Sequence, residues 1–252
     1  MPNTFWSAAG YSHLGQKRTK NDDCYVIGPF VEREHLTALQ MATHSRVACD
    51  YGLLVAVADG LGGYAGGALA SQTVLDAFAA HFAAYKRDDN CAAQLERFGD
   101  IANRALTRAL GANEEFSQAG TTLVGLCFLP MGELFVFHCG DSRAIRFVGG
   151  VGCPLTCDHA APSGGLTRSF GLVGDTRLEV ASLHWQLGDT FLLCSDGLHG
   201  ENRGLDLQTL SETLRENENV PVAELTSYLV QEAVERDGRD NVTGIIVRVG
   251  AS

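Results

Sequence analysis

Four short aspartate motifs carry the chemistry that this sequence can do: Asn21-Asp22-Asp23, Asp59-Gly60-Leu61-Gly62-Gly63, Ser195-Asp196-Gly197 and Arg239-Asp240-Asn241. Carboxylate oxygens are the ligands that hard divalent cations prefer. Several such heads converging on one edge would hold these ions, which points to a Mg2+ or Mn2+ hydrolase. Each motif also has a plainer use. Asp59 can cap a helix at a tight strand-to-helix turn, and Ser195-Asp196-Gly197 and Asp240-Asn241 are ordinary turn residues. The glycines after Asp59 let the backbone approach a ligand closely, and the Gly60 carbonyl can itself bind a cation. Gly140-Asp141-Ser142-Arg143 reads first as a hairpin turn, with Asp141 an additional ligand candidate and Arg143 a salt-bridge former. Arg18 presents a planar fork suited to a pair of phosphate oxygens. An isolated arginine on a polar turn is otherwise solvated surface.

Other chemistries find less support. His138 reads as a core or sheet-face residue, and His159 as an organiser of its neighbours. His13 and His199 lie nearer the acidic motifs and could donate protons. The nucleophile pattern Gly-x-Ser-x-Gly is absent, as is a phosphate loop ending in lysine. Several of the eight cysteines sit in apolar runs, where a reduced thiol packs as a small hydrophobe. Cys153 and Cys157 lack a second Cys/His pair at zinc spacing. With no export signal at Met1-Pro2-Asn3-Thr4-Phe5-Trp6, free thiols and a cytoplasmic location are expected.

The elements that must position these residues follow from periodicity. Apolar runs at Trp6 to Ser12, Cys24 to Gly28 and Leu53 to Ala58 predict strands. So do those at 121–128, 134–139, 144–148, 178–183, 191–195 and 242–249. Leu53 to Ala58 runs into Asp59, Phe191 to Cys194 runs into Ser195-Asp196, and Asp240-Asn241 opens the last strand. Leu75, Phe78, Phe82 and Tyr85 recur at helical spacing. Leu95, Phe98, Ala102, Ala105 and Ala109 do the same, and two further helices are expected near 206–217 and 221–236, with Pro221 in the first turn of the second. Residues 31–50 read as a loop or hairpin insertion. Strands in meanders and helices in pairs favour an α+β fold with antiparallel sheets over a doubly wound one.

Bulk properties narrow the function. The chain has 252 residues, 45% hydrophobic and 19% charged, with formal net charge -11. This is a globular composition, read as a single domain over 1–252. An acidic chain without Lys/Arg blocks is a poor nucleic-acid binder. No apolar run approaches the roughly 18 residues that suggest a membrane span.

Taken in order, these residues resemble the metal-dependent protein phosphatase family (protein phosphatase 2C, PPM). The likeness runs through Arg18-x-x-Asn21-x-Asp23, Asp59-Gly60-x-Gly62-Gly63, Ala119-Gly120-Thr121-Thr122, Gly140-Asp141-Ser142-Arg143 and Leu155-Thr156-x-Asp158-His159. It continues through Thr167-Arg168-Ser169-Phe170-Gly171, Gly188-Asp189, Ser195-Asp196-Gly197-Leu198 and Arg239-Asp240-Asn241-Val242-Thr243. The resemblance implies a four-layer αββα sandwich binding two Mg2+ or Mn2+ ions, with a third, weaker one. Asp59 would bridge two ions, the Gly60 carbonyl would bind one, and Asp196 and Asp240 would complete the second site. Asp23 would hold a metal or its waters, Asp141 would serve the third ion, and Arg18 would hold the substrate phosphate. The implied reaction is hydrolysis of phosphoserine and phosphothreonine by a metal-activated water, in a monomer acting on phosphoproteins opposite a Ser/Thr kinase. Alternatives are a catalytically weak phosphoprotein-binding relative or a hydrolase of small phosphate monoesters. Two departures stand out. Leu61 occupies a place where many members carry histidine, and only Ala160-Ala161-Pro162-Ser163-Gly164-Gly165 and two further residues separate His159 from Arg168. The flap segment usual there is nearly deleted.

Overall fold

The computed structural model describes residues 3–62, 66–84, 90–111, 114–116, 118–162, 165–171, 175–200 and 202–251. Gly63 of the glycine turn, Tyr85 of the first predicted helix, and Ser163 and Gly164 of the short flap stretch lie outside them. In chain order the first elements are β1 (Thr4–His13), β2 (Cys24–Ile27), β3 (Phe30–Glu32), β4 (Thr37–Ala42), α1 (Arg46–Asp50), β5 (Leu53–Ala58) and β6 (Gly60–Leu61). Helices α2 (Gly67–Ala84) and α3 (Cys91–Leu110) come next. Strands β7 (Gly120–Thr121), β8 (Leu123–Phe128), β9 (Glu133–Cys139), β10 (Arg143–Val148), β11 (Val151–Pro154), β12 (Glu179–His184) and β13 (Thr190–Cys194) follow. The last elements are α4 (Asp196–His199), β14 (Arg203–Gly204), α5 (Leu207–Glu216), α6 (Val222–Arg236) and β15 (Val242–Ala251).

Two six-stranded antiparallel sheets face each other, ordered β11-β10-β13-β15-β1-β4 and β12-β9-β8-β5-β2-β3. Strand β1 pairs with β15 along its whole length, from Thr4 opposite Ala251 to His13 opposite Val242. Strand β5 shows why these strands read as unbroken apolar runs. Leu53, Val55 and Val57 point into the core between the sheets, while Leu54, Ala56 and Ala58 pack toward α2 and α3. Side chains alternate faces, so a strand covered on both sides must be apolar throughout. In β15, Ile245, Val247 and Val249 face the inter-sheet core, and Val242 and Ile246 face α5 and α6. The result is the four-layer αββα sandwich.

Segment 31–50 holds more than the loop or hairpin insertion expected of it. Strand β3 closes a hairpin with β2, and β4 crosses to the other sheet as an edge partner of β1. Its signal is weak because Ala38 and Ala42 blur the alternation that Leu39 and Met41 carry. Strand β11 was also unread, since its four residues include Gly152 and Pro154. Pro221 occupies the cap before α6 and not its first turn.

Candidate metal centre

The site lies where strand ends of both sheets meet. Asp23 precedes β2, Asp59 follows β5 and Asp141 follows β9, all on one sheet. Asp196 follows β13 and Asp240 precedes β15 on the other. Burial, reinforced by the charges of Asp23, Asp196, Asp141 and Asp240, pushes the Asp59 carboxyl well above the usual range. Burial likewise raises Asp141, lifts Asp196 to about 6 against the pull of Arg203, and lifts Asp23 to about 7. Carboxylates desolvated and crowded in this way favour an added cation.

Each acid is held from behind. The Asp59 amide donates to Thr122 Oγ1 (3.0 Å), and its carbonyl accepts from Thr121 Oγ1 (2.8 Å) and the Thr122 amide (2.9 Å). Beside it, β6 pairs with β7, and Gly60 packs so closely that a Cβ would lie 2.4 Å from the Gly67 carbonyl oxygen and 2.5 Å from that of Asp22. Only glycine fits that turn. Asp23, 1% exposed, accepts at Oδ2 from Thr243 Oγ1 (2.6 Å) and Ser195 Oγ (2.8 Å). Because Thr243 donates to Asp23, the Ser12 hydroxyl donates to Thr243 (2.6 Å), and Asn21 Nδ2 donates to Ser12 (2.9 Å). Asp22 faces away from this group, and its Oδ1 accepts from the Ala68 amide in the first turn of α2 (3.1 Å).

Two arginines stand among the acids. Arg18 binds Asp240 through Nη2 (2.8 Å) and Nε (2.7 Å) with its side chain 49% exposed. Arg203 Nη1 donates to both Asp196 Oδ2 and Asp240 Oδ2, at 2.8 Å each. Sequence reasoning missed Arg203, which lies in no motif and no periodic run. It also missed Asn241 as a staple. Its Oδ1 accepts from the Asp22 amide (2.8 Å), and its Nδ2 donates to the carbonyls of Leu14 (2.8 Å) and Lys20 (3.0 Å). Arg33 was missed as well, and donates to the carbonyls of Asn21, Asp23 and Ala68, tying the first aspartate motif to α2.

The neighbouring side chains fall into supporting places. Arg143 forms a two-point pair with Asp158 (3.0 and 2.7 Å). His199 is held neutral by burial, with Nδ1 on the Leu205 carbonyl (2.7 Å). His13 Nδ1 accepts from the Gly15 amide (2.9 Å). A second cluster joins His138, His159 and Glu179. There the Gly140 amide donates to His159 Nδ1 (3.1 Å), and Nε2 lies 3.2 Å from Glu179 Oε2. The Arg168 guanidinium already supplies the cation, with Nη1 3.2 Å from that nitrogen. After His159 the chain turns back at once, with Ala160 bridged to Leu166 and the Ala161 amide on the Gly165 carbonyl.

The donor set fits a pair of hard divalent ions: aspartate oxygens from both sheets, a glycine carbonyl at a turn with no room for a side chain, and acids that burial and mutual repulsion hold hungry for charge. An αββα sandwich with acids gathered at one end of both sheets is a frame on which such ions could be held. The family pattern described as "Protein phosphatase 2C" matches residues 37–237, and the chain belongs to that family. It is 30% identical over 219 residues to the serine/threonine protein phosphatase PstP of Mycobacterium tuberculosis, covering 78% of this chain and 40% of the relative. The chain thus matches about two fifths of that protein's length. It is 25% identical to the protein phosphatase PhpP of Streptococcus pneumoniae, covering 93% of this chain and 94% of the relative. Among solved structures, the Pseudomonas aeruginosa protein PppA, "a key regulatory component of T6SS", superposes with TM-score 0.74 at 28% identity, covering 98% of this chain and 100% of that one. The catalytic domain of PstP in complex with two manganese ions gives TM-score 0.77 at 25% identity, covering 98% and 99%.

Proposed function

We propose that this chain is a metal-dependent protein phosphatase that hydrolyses phosphoserine and phosphothreonine, with all 252 residues as one catalytic domain. The observation that carries the reading is the gathering of Asp59, Asp196 and Asp240, with Asp23 and Asp141, at the junction of two sheets in a chain that belongs to the protein phosphatase 2C family. Bound Mg2+ or Mn2+ supplies a water acidified enough to act as a nucleophile near neutral pH. Asp59 and the Gly60 carbonyl would hold ions on one sheet, Asp196 and Asp240 on the other, with Asp23 and Asp141 completing the set. Arg18 is exposed enough to turn its fork from Asp240 to the equatorial oxygens of a phosphate, where charge shifts as the leaving oxygen departs. Leu61 carries no transferable proton, so the leaving serine or threonine oxygen takes its proton from water or another group. The short turn after His159 leaves one wall of the cleft low. Specificity then rests on co-localisation with a Ser/Thr kinase more than on contacts around the phosphate.

Free cysteines at exposed Cys49, Cys153 and Cys157 suit a reducing cytoplasm, where we place the protein as a monomer. Among the described residues, no helix is long and apolar enough to cross a membrane. The deciding experiment compares turnover of a phosphothreonine peptide and of a small aryl phosphate with Mn2+, with and without chelator. Chelator-sensitive peptide turnover is expected. Turnover of the aryl ester alone would make it a small-ester hydrolase, and turnover of neither a binding relative.

A further inference from the structure

We propose that Arg203 is a built-in cation that competes with metal for the Asp196–Asp240 pair and sets the metal affinity of the site. This inference rests on the metal reading of those two aspartates. Arg203 Nη1 lies 2.8 Å from Oδ2 of each, so a single nitrogen bridges the two acids. A divalent ion bound to the same oxygens sits about 2.0–2.2 Å from each. A guanidinium nitrogen bridging those two oxygens takes up the space and the charge that a divalent ion between them would use, so the two compete.

The backbone aims this side chain. Arg203 lies on a narrow hairpin closed by bridges between His199 and Gly204 and between Gly200 and Arg203. On one side Asn202 is in the left-handed region (φ 60), which non-glycine residues rarely adopt. On the other, Gly204 (φ 58) packs where a Cβ would come within 2.1 Å of the Leu198 carbonyl oxygen. Arg239 Nη2 donates to the Asn202 carbonyl (3.1 Å) and binds the hairpin to the segment that carries Asp240. Left-handed residues on both sides of one arginine, pinned to its target's own loop, are a fixed mount and not a solvated turn. The side chain itself is 39% exposed and can swing outward without disturbing the core.

Two consequences follow. Arg203 would offset part of the negative charge of Asp196 and Asp240 when no metal is bound, and metal would enter that pair by displacing a tethered arginine. Apparent affinity therefore falls by the fraction of molecules in which the arginine has let go.

The test uses the full chain stripped of metal, with Mn2+ binding read by calorimetry and melting temperature read without metal. Arg203→Gln is expected to bind Mn2+ about tenfold tighter, as when the arginine holds the acids in about nine molecules of ten. It is also expected to melt lower without metal and to gain more on adding Mn2+. Arg203→Lys, which keeps a cation on the hairpin, should stay nearer the wild type. Arg239→Ala, which loosens the hairpin without touching the acids, should tighten Mn2+ binding by a smaller factor. Unchanged or weaker Mn2+ binding in both Arg203→Gln and Arg239→Ala overturns the inference while leaving the metal reading intact. A wild-type protein that takes up no Mn2+ overturns both.

Discussion

The two ends of the sandwich use the same residue type in opposite ways. At the far end, Asp189 is 3% exposed and fully matched: its Oδ2 accepts from Arg146 Nη2 (2.6 Å) and from the Gln186 amide (2.6 Å). Around it pack aromatic rings, with Trp6 against Phe128 and Trp185, and Phe128 edge-on to Phe191. At the near end Asp23, Asp59, Asp141, Asp196 and Asp240 share Arg18 and Arg203, and four of these acids, Asp23, Asp59, Asp141 and Asp196, are lifted by burial even with the arginines in place. A buried aspartate with its own cation is architecture. A group of aspartates crowded and raised by burial is what the proposed metal site calls for, held in place by a scaffold stable enough to tolerate it.

Removing the acid at each end should separate the two roles. Asp59→Asn is expected to cut metal-dependent turnover by at least about a hundredfold with no loss of melting temperature, since an amide is nearly isosteric but a poor ligand for hard cations. Turnover close to wild type would break the comparison outright. Asp189→Ala should do the reverse. Stranding Arg146 in a buried place costs about 3–5 kcal/mol, at about 2–4 °C per kcal/mol for a domain of this size. Turnover per folded molecule should be unchanged, and a loss of turnover without loss of stability would remove the contrast.

Arg18 gives a smaller effect. Arg18→Ala should lower turnover efficiency by about 10–100-fold with melting within about 2 °C of wild type, because an exposed pair contributes about 1 kcal/mol or less. If the protein instead unfolds, Arg18 is a structural partner of Asp240 only. The smallest effect is on pH. Asp23 and Asp196 have folded values raised to about 7 and about 6 from 3.8. The stability they contribute is full below the unfolded value and is lost as pH rises through the folded ones. The metal-free protein should therefore melt progressively lower between about pH 4 and pH 7. Asp23→Asn should flatten that slope, and saturating Mn2+ should also flatten it. A rise in melting temperature across the same window would contradict the picture of acids in excess.

Much of this was legible before the structure. Asp59, Asp196 and Asp240 are visible because each borders an unbroken apolar run, and a strand buried on both faces leaves no other place for a polar end. Arg203 was invisible for the opposite reason. Its neighbours have no periodicity, and its role depends on acids 7 and 37 positions away in the chain. Ser195 and Thr243 sit inside recognised motifs, yet nothing in the one-dimensional pattern shows that both hydroxyls meet on Asp23. The crossing of β4 was hidden by its two alanines. What the sequence conceals is contact between separate turns, and most of the support for the acids is of that kind.

The pairing of β1 with β15 also sets the order in which the molecule can be completed. During synthesis, β1 leaves the ribosome long before its neighbour exists, so one edge stays open except for β4 on its other side. An open edge invites pairing with another chain. Strand β13 waits as well, because β15 lies between it and β1. Asp240 stands immediately before β15, so it reaches the other acids only as that last gap is filled. A nascent or truncated chain ending before residue 240 therefore has neither a completed sheet nor its full set of acids, and the proposed activity should appear only with the finished fold.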